Sequence, residues 1–155
     1  MDVSSFDEIR EEFLQRVNRI IWCNVATQDT RGRIRSRILH PIWEATTTPI
    51  GWIATRRNTL KTRHLEQQPF VSLAYVAEIA KPVYIDCRAE WDDTIETKQR
   101  IWNLFLNAPE PLGYDPAPIF QSIDNPEYGI LRLVPWRVEV RDVPQPGRVW
   151  RDTTV

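Results

Sequence analysis

The chain has 155 residues, enough to bury a sizeable core without a disulfide or metal staple and few enough for one domain. It is 42% hydrophobic and 26% charged, which excludes a disordered or fibrous chain, and no apolar run approaches the roughly 20 residues of a helical membrane span. The formal net charge of −1 hides an uneven distribution. Arg31, Arg33, Arg35, Arg37, Arg56, Arg57, Lys61 and Arg63 are opposed within their segment only by Glu44, so that stretch carries +7 and the remainder −8. The first residues are acidic where a secretory signal would be basic, so a soluble, cytoplasmic protein is expected. One domain over residues 1–155 is expected, with a core over about 6–142 and a polar tail over 143–155.

Ile9, Phe13, Leu14, Val17 and Ile20 recur at helical steps and predict an amphipathic helix over Phe6–Arg19, with Asp7 and Glu8 at its dipole-favoured start. Ile20–Thr27 reads as a strand ended by the turn residues Gln28–Gly32. Arg33–His40 is its hairpin partner, with Arg33, Arg35 and Arg37 on one face and Ile34, Ser36 and Ile38 on the other; Pro41 stops or bends it. Gly51–Thr55 is a short third strand, turning through Arg56–Asn58 into a helix over about Thr59–Gln67. Strands follow at Phe70–Ala77 and Val83–Trp91, then a helix over about Asp93–Asn107. Ala108–Pro118, with four prolines, predicts an extended loop long enough to serve as a lid or an interface arm. Tyr128–Val134 and Trp136–Asp142 are the last strands, split by Pro135. Six to seven short strands with few crossovers and flanking helices predict an α+β fold, mainly β, built as a small antiparallel barrel.

The strongest local signal is Thr55-Arg-Arg-Asn-Thr-Leu-Lys61, where a strand ends and a helix begins. Helix N-termini present unpaired N–H groups and positive partial charge, and here two hydroxyls and three cations surround one. That pattern points to a phosphate site, with Arg37 closing it from the neighbouring strand; a plain Thr or Asn cap is the alternative. Arg31 and Arg33, near the turn, read as ordinary strand-face residues. Cys23 and Cys87 have no metal-ligand spacing and read as buried thiols, and His40 and His64 suggest no metal site. Trp22, Trp52 and Trp91 read as core; Trp43, Trp102 and Trp136 are candidates for stacking on a planar ring. No nucleophile elbow, phosphate loop or dinucleotide fingerprint is present, so no catalytic residue is assigned and a cofactor is expected to carry any hard chemistry.

The runs Arg35-Ser-Arg-Ile-Leu-His-Pro-Ile-Trp43, Gly51-Trp-Ile-Ala-Thr-Arg-Arg-Asn-Thr-Leu-Lys61, Gln68-Pro-Phe-Val-Ser-Leu-Ala-Tyr75 and Leu131-Arg-Leu-Val-Pro-Trp-Arg-Val-Glu-Val140 together resemble the pyridoxamine 5′-phosphate oxidase-like, FMN-binding split-barrel flavoproteins. The resemblance implies an antiparallel split β-barrel and a homodimer whose FMN sites lie between subunits. It implies that Arg37, Thr55, Thr59 and Lys61 hold the cofactor phosphate and that the backbone of Ile38 and Leu39 passes the ring, with Arg35, Arg56 and Leu60 also at the site. Three positions depart from the oxidases proper: Leu60 stands where they carry Arg, Pro82 where a glutamine meets the flavin, and Arg148-Val-Trp-Arg-Asp152 replaces their substrate signature. The expected activity is therefore hydride transfer between a small molecule and FMN rather than vitamin B6 oxidation. A non-catalytic flavin- or haem-binding sensor or carrier, and a deazaflavin-dependent reductase, are the alternatives within the fold. The sparse lysine and near-neutral charge argue against nucleic acid.

Overall fold

The computed structural model describes residues 1–154. In chain order it comprises α1 (Asp7–Val17), β1 (Cys23–Gln28), β2 (Ile34–Leu39), β3 (Ile42–Ala45), β4 (Pro49–Arg56), α2 (Leu60–Gln67), β5 (Phe70–Tyr75), β6 (Val83–Trp91), α3 (Ile95–Asn107), the single turn α4 (Ala117–Phe120), β7 (Tyr128–Val140) and β8 (Arg148–Arg151). Every strand pairs antiparallel, in the order β2-β1-β5-β6-β7-β4-β3, with β8 added beside β7. The expected antiparallel, mainly β fold is present, with eight strands rather than six or seven.

The topology itself curls the sheet. β2 and β3 are its two ends, yet only His40 and Pro41 separate them in sequence. A two-residue link spans less than about 11 Å, so the ends are drawn together and the sheet wraps into a barrel left open along that seam. As expected, β2 ends before Pro41, and the strand that follows, β3, is one the sequence reading lacked.

Two further departures have local causes. Pro135 does not split the last strand. It pairs with Cys87 where the β6–β7 register shifts between Asp86 and Cys87, a bulge at which a missing N–H costs little. The polar tail also contains β8, which pairs Arg148–Arg151 with the second half of β7 and buries Val149 and Trp150. β4 occupies the first half of that same edge.

The barrel interior holds Val25, Trp43, Ile53, Leu73, Tyr75, Ile85, Leu133 and Val138, and α1 closes it with Phe6, Ile9, Phe13 and Val17. Trp43 belongs to this core. Its indole donates to the Tyr75 hydroxyl (3.0 Å) and meets Phe13 edge-on, and it lies so close over Gly51 that a Cβ there would fall 2.8 Å from the ring. A second core, on the opposite face of β4 and β7, packs Trp52, Tyr128 and Ile130 against Ile101 and Phe105 of α3 and against Leu112 and Phe120. This second layer moors the proline-rich segment. Tyr114 N–H donates to the Phe105 carbonyl and Phe120 C=O accepts from the Asn125 side chain, so the segment is a docked wall. Cys23 and Cys87 are buried free thiols, and no helix among the described residues is long and apolar enough to cross a membrane.

Candidate functional site

The β1–β2 hairpin sets the first edge of the site. Asp29, almost wholly buried, accepts from the Arg31 and Arg33 amides and from Arg33 Nε (2.9, 3.0 and 2.9 Å), and Gly32 takes the left-handed φ of 78° that the turn requires. Those backbone bonds hold the Asp29 carboxyl down at about 2. Arg33 is neutralised here, in keeping with a structural role. The next cation on the same face, Arg35, is exposed and has no carboxylate partner among the described residues. Arg37 turns inward, where Nη1 donates to the buried Thr27 hydroxyl across the ladder (2.7 Å).

The second edge is the end of β4 and the start of α2. Thr59 has extended dihedrals and occupies the N-cap position, but its side chain makes no cap bond, and no acid stands in the first turn of α2. Its hydroxyl instead accepts from Lys61 Nζ (2.9 Å), which also donates to the Arg56 carbonyl (3.0 Å). Lys61 retains only 7% of its exposure. Burial, together with nearby Arg37, pushes its ammonium down to about 8; burial and Arg35 lower Arg37 as well. Buried lysines ordinarily have a carboxylate partner. Among the described residues Lys61 has none. The cap alternative fails for Thr59, and an anion-ready corner remains.

That corner opens onto a cleft of about 430 Å³. Ile38, Leu39 and His40 form one wall, Ala54, Thr55 and Arg56 the other, and Pro111, Gly113, Tyr114, Ile119 and Phe120 of the docked segment close the far side. Trp22 stands at the mouth, 59% exposed. The lining holds no carboxylate and a single charged group, the Arg56 guanidinium. Its two titratable rings are silent near neutral pH: burial pulls His40 down to about 4 and pushes Tyr114 up to about 12.

Of the nine expected site residues, Ile38, Leu39, Thr55 and Arg56 line the cleft, and Arg37, Thr59 and Lys61 form the cationic corner beside it. Arg35 flanks the corner from outside. Leu60, 62% exposed, is turned away. Trp22 is a correction: Ile20–Trp22 precede β1 rather than belonging to it, so the indole escapes the core. His40, Tyr114 and Phe120 were also missed, and the only signal for Tyr114 was the proline-rich run that contains it. No cluster of His, Cys, Asp and Glu suited to a metal exists among the described residues.

No family model and no curated protein matches the sequence. Solved structures do. A Clostridium acetobutylicum protein related to general stress protein 26 of B. subtilis, of the pyridoxinephosphate oxidase family, superposes with a TM-score of 0.74 at 13% identity over 94% of this chain and 95% of its own. A pyridoxamine 5′-phosphate oxidase-related, FMN-binding protein from Nostoc punctiforme gives 0.64 at 16% identity over 95% and 90%. The fold is that of the pyridoxamine 5′-phosphate oxidase-like split barrels. The same fold extends to a heme binding protein from Mycobacterium smegmatis (0.64, 18% identity, 88% and 57%) and to an F420 reductase (0.57, 12% identity, 81% and 94%). At these identities the likeness concerns the fold alone.

Proposed function

We propose that the chain binds FMN and acts as a flavin-dependent oxidoreductase on a small molecule. One observation carries the reading: Lys61, nine-tenths buried and without a carboxylate partner among the described residues, stands near Arg37 and bonded to the Thr59 hydroxyl at a helix start with no side-chain cap, next to an apolar cleft. The residues fit the cofactor's two ends. Arg37, Thr55, Thr59 and Lys61 offer charge and hydrogen bonds to a phosphate, and Ile38, Leu39, Ala54 and Phe120 offer apolar surface to a flat ring. When bound, the flavin supplies hydride transfer, which no side chain of the cleft can perform. The chain's own part is to neutralise the phosphate, hold the ring away from water and position the second reactant.

Exposed Ile34, Ile38 and Phe70 on the outer sheet face and Trp22 at the cleft mouth support a homodimer whose contact completes each site. Size-exclusion chromatography with light scattering tests that part. For the cofactor, titration of FMN with the purified protein should quench flavin fluorescence at micromolar concentration or below. Absence of binding at that level overturns the proposal, and a Soret absorption band with no flavin binding would move it to haem.

A second reading is favoured by the lack of any cleft group titrating near pH 7: a flavin or haem carrier without turnover. Steady reduction of the bound flavin by NADH, NADPH or a reduced deazaflavin excludes it, and the last donor also separates the deazaflavin alternative.

A further inference from the structure

Among the described residues, several buried side-chain nitrogens have no hydrogen-bond partner, and only one of them belongs to a residue lining the cleft: His40 Nε2. The imidazole follows directly on β2 and is boxed by aromatic rings, with centroids 5.7 Å from Trp22, 5.3 Å from Phe105 and 5.4 Å from Tyr114. A hydrogen bond to the Leu112 backbone favours a proton on the imidazole, and because Nε2 is the nitrogen without a partner that proton is assigned to Nδ1. Such a bond fixes the tautomer and leaves Nε2 with a bare lone pair. Folded proteins keep few buried acceptors unsatisfied, and one kept at the wall of a binding cleft asks for a donor from the ligand.

We propose that His40 Nε2 accepts a hydrogen bond from an N–H at the edge of the ring held in this cleft, making His40 the residue that selects the ring by its polar edge. The inference rests on the flavin reading, and it names what that reading lacked: a directional polar contact for the ring, as distinct from the charged corner for the phosphate. Access requires one movement. Phe105 is locked in the core and Tyr114 is held at its backbone by Phe105, whereas the Trp22 indole is 59% exposed at the mouth. A ring entering the cleft displaces that indole and uncovers Nε2. The imidazole is neutral at physiological pH, since burial holds it near 4, so it has a lone pair to give and no charge. Its preference is therefore for an imide or amide N–H, which the flavin ring carries at N3, over a ring edge that presents only carbonyl oxygens.

The test compares FMN with N3-methyl-FMN, which lacks that donor, on the wild-type protein, His40→Phe and His40→Gln, by fluorescence titration. The wild type should bind FMN at least tenfold more tightly than the methylated analogue. His40→Phe keeps an aromatic ring in the box but no acceptor, and should bind the two alike, with FMN weakened about tenfold. His40→Gln, whose carbonyl accepts, should keep a preference. Equal binding of both ligands by the wild type overturns the proposal without any variant having to fold, and so does a preference that survives in His40→Phe. If no flavin binds the wild type at all, the cofactor reading has failed first; if FMN binds without discrimination, only the role of His40 has.

Discussion

Arginine does two different jobs in two regions of this molecule. On the side built by α1, β6, β7 and β8, each cation meets a carboxylate: Arg16 meets Glu12 and Asp142, Arg137 meets Asp86 and Glu139, Arg132 meets Glu90, Arg148 meets Glu12, and Arg151 meets Asp2. Between Arg31 and Arg63, among the described residues, only Arg33 and Arg57 are paired, with Asp29 and Asp93, and the one acid of that stretch, Glu44, is taken by Arg100 of α3. Arg31, Arg35, Arg37, Arg56, Lys61 and Arg63 have no ion-pair partner among the described residues. Residue type is shared; the placement of acids differs. The compensated side carries its own counter-charges, and on the proposed reading the uncompensated side takes an anion that the chain does not supply.

If that contrast is real, substitutions in the two regions should fail in opposite assays. The largest effect is expected on the compensated side. Arg16 is buried in the last turn of α1, bonded to Glu12, Asp142 and the Arg141 carbonyl, so Arg16→Ala leaves Glu12 with Arg148 alone, removes the cation that ties α1 to Asp142 and leaves the Arg141 carbonyl without that donor. It should cost about 3 kcal/mol of unfolding free energy in a urea titration while leaving FMN affinity within about twofold. A loss of flavin affinity with stability intact would erase the distinction.

Lys61→Met should do the reverse. Removing a charge-assisted contact to phosphate is worth about 1.5–3 kcal/mol, or roughly 10- to 150-fold in FMN affinity by fluorescence titration. The free protein should keep its stability to within about 1 kcal/mol, because the substitution also removes a buried, uncompensated charge. Should Lys61→Met unfold as readily as Arg16→Ala, Lys61 is a structural residue and the corner is no ligand site.

How far this contrast could be read before the structure depends on sequence distance. The hairpin, the Arg35/Arg37 face and the strand-to-helix turn at Thr55–Lys61 are local, set by alternation, turn residues and an abrupt change of period, and they stand as read. The cleft is not local. His40, Trp22 and Tyr114 come from three separate segments and meet only because His40-Pro41 carries the chain from one end of the sheet to the other. Pro135 misled because it sits at a bulge, where the ladder needs no N–H, and a lone sequence does not reveal the partner strand that makes a proline harmless. The ion-pair census was equally out of reach, since Arg16 and Asp142, or Arg137 and Asp86, are distant in the chain.

A pH series sharpens the role of Lys61. Its ammonium is held near 8, below its ordinary value of about 10.4, so the free protein releases that proton as pH rises through 8 while the unfolded chain retains it. The group's contribution to the free protein's stability therefore increases between about pH 8 and 10. Anion binding runs the other way, because phosphate needs the protonated amine. FMN affinity should fall about tenfold between pH 7 and 9, and in Lys61→Met it should be flat over that range. A wild-type affinity that stays level to pH 9 would mean that Lys61 does not meet the phosphate.

The smallest effect belongs to the imidazole on the cleft wall. His40 is depressed to about 4 from about 6.5, so between those values the unfolded chain binds a proton that the folded protein does not. Its contribution to stability is complete above about pH 6.5 and is lost as pH falls toward 4. In proton NMR the His40 ring resonance should stay unshifted from pH 8 to 5 and move only near 4, and His40→Phe should shallow the acid limb of the stability curve. A His40 resonance titrating near 6.5 would mean that the imidazole is hydrated and already satisfied by water. Nε2 would then have no unmet need for a ligand donor, and the cleft would offer its occupant only an apolar slot beside a cationic corner.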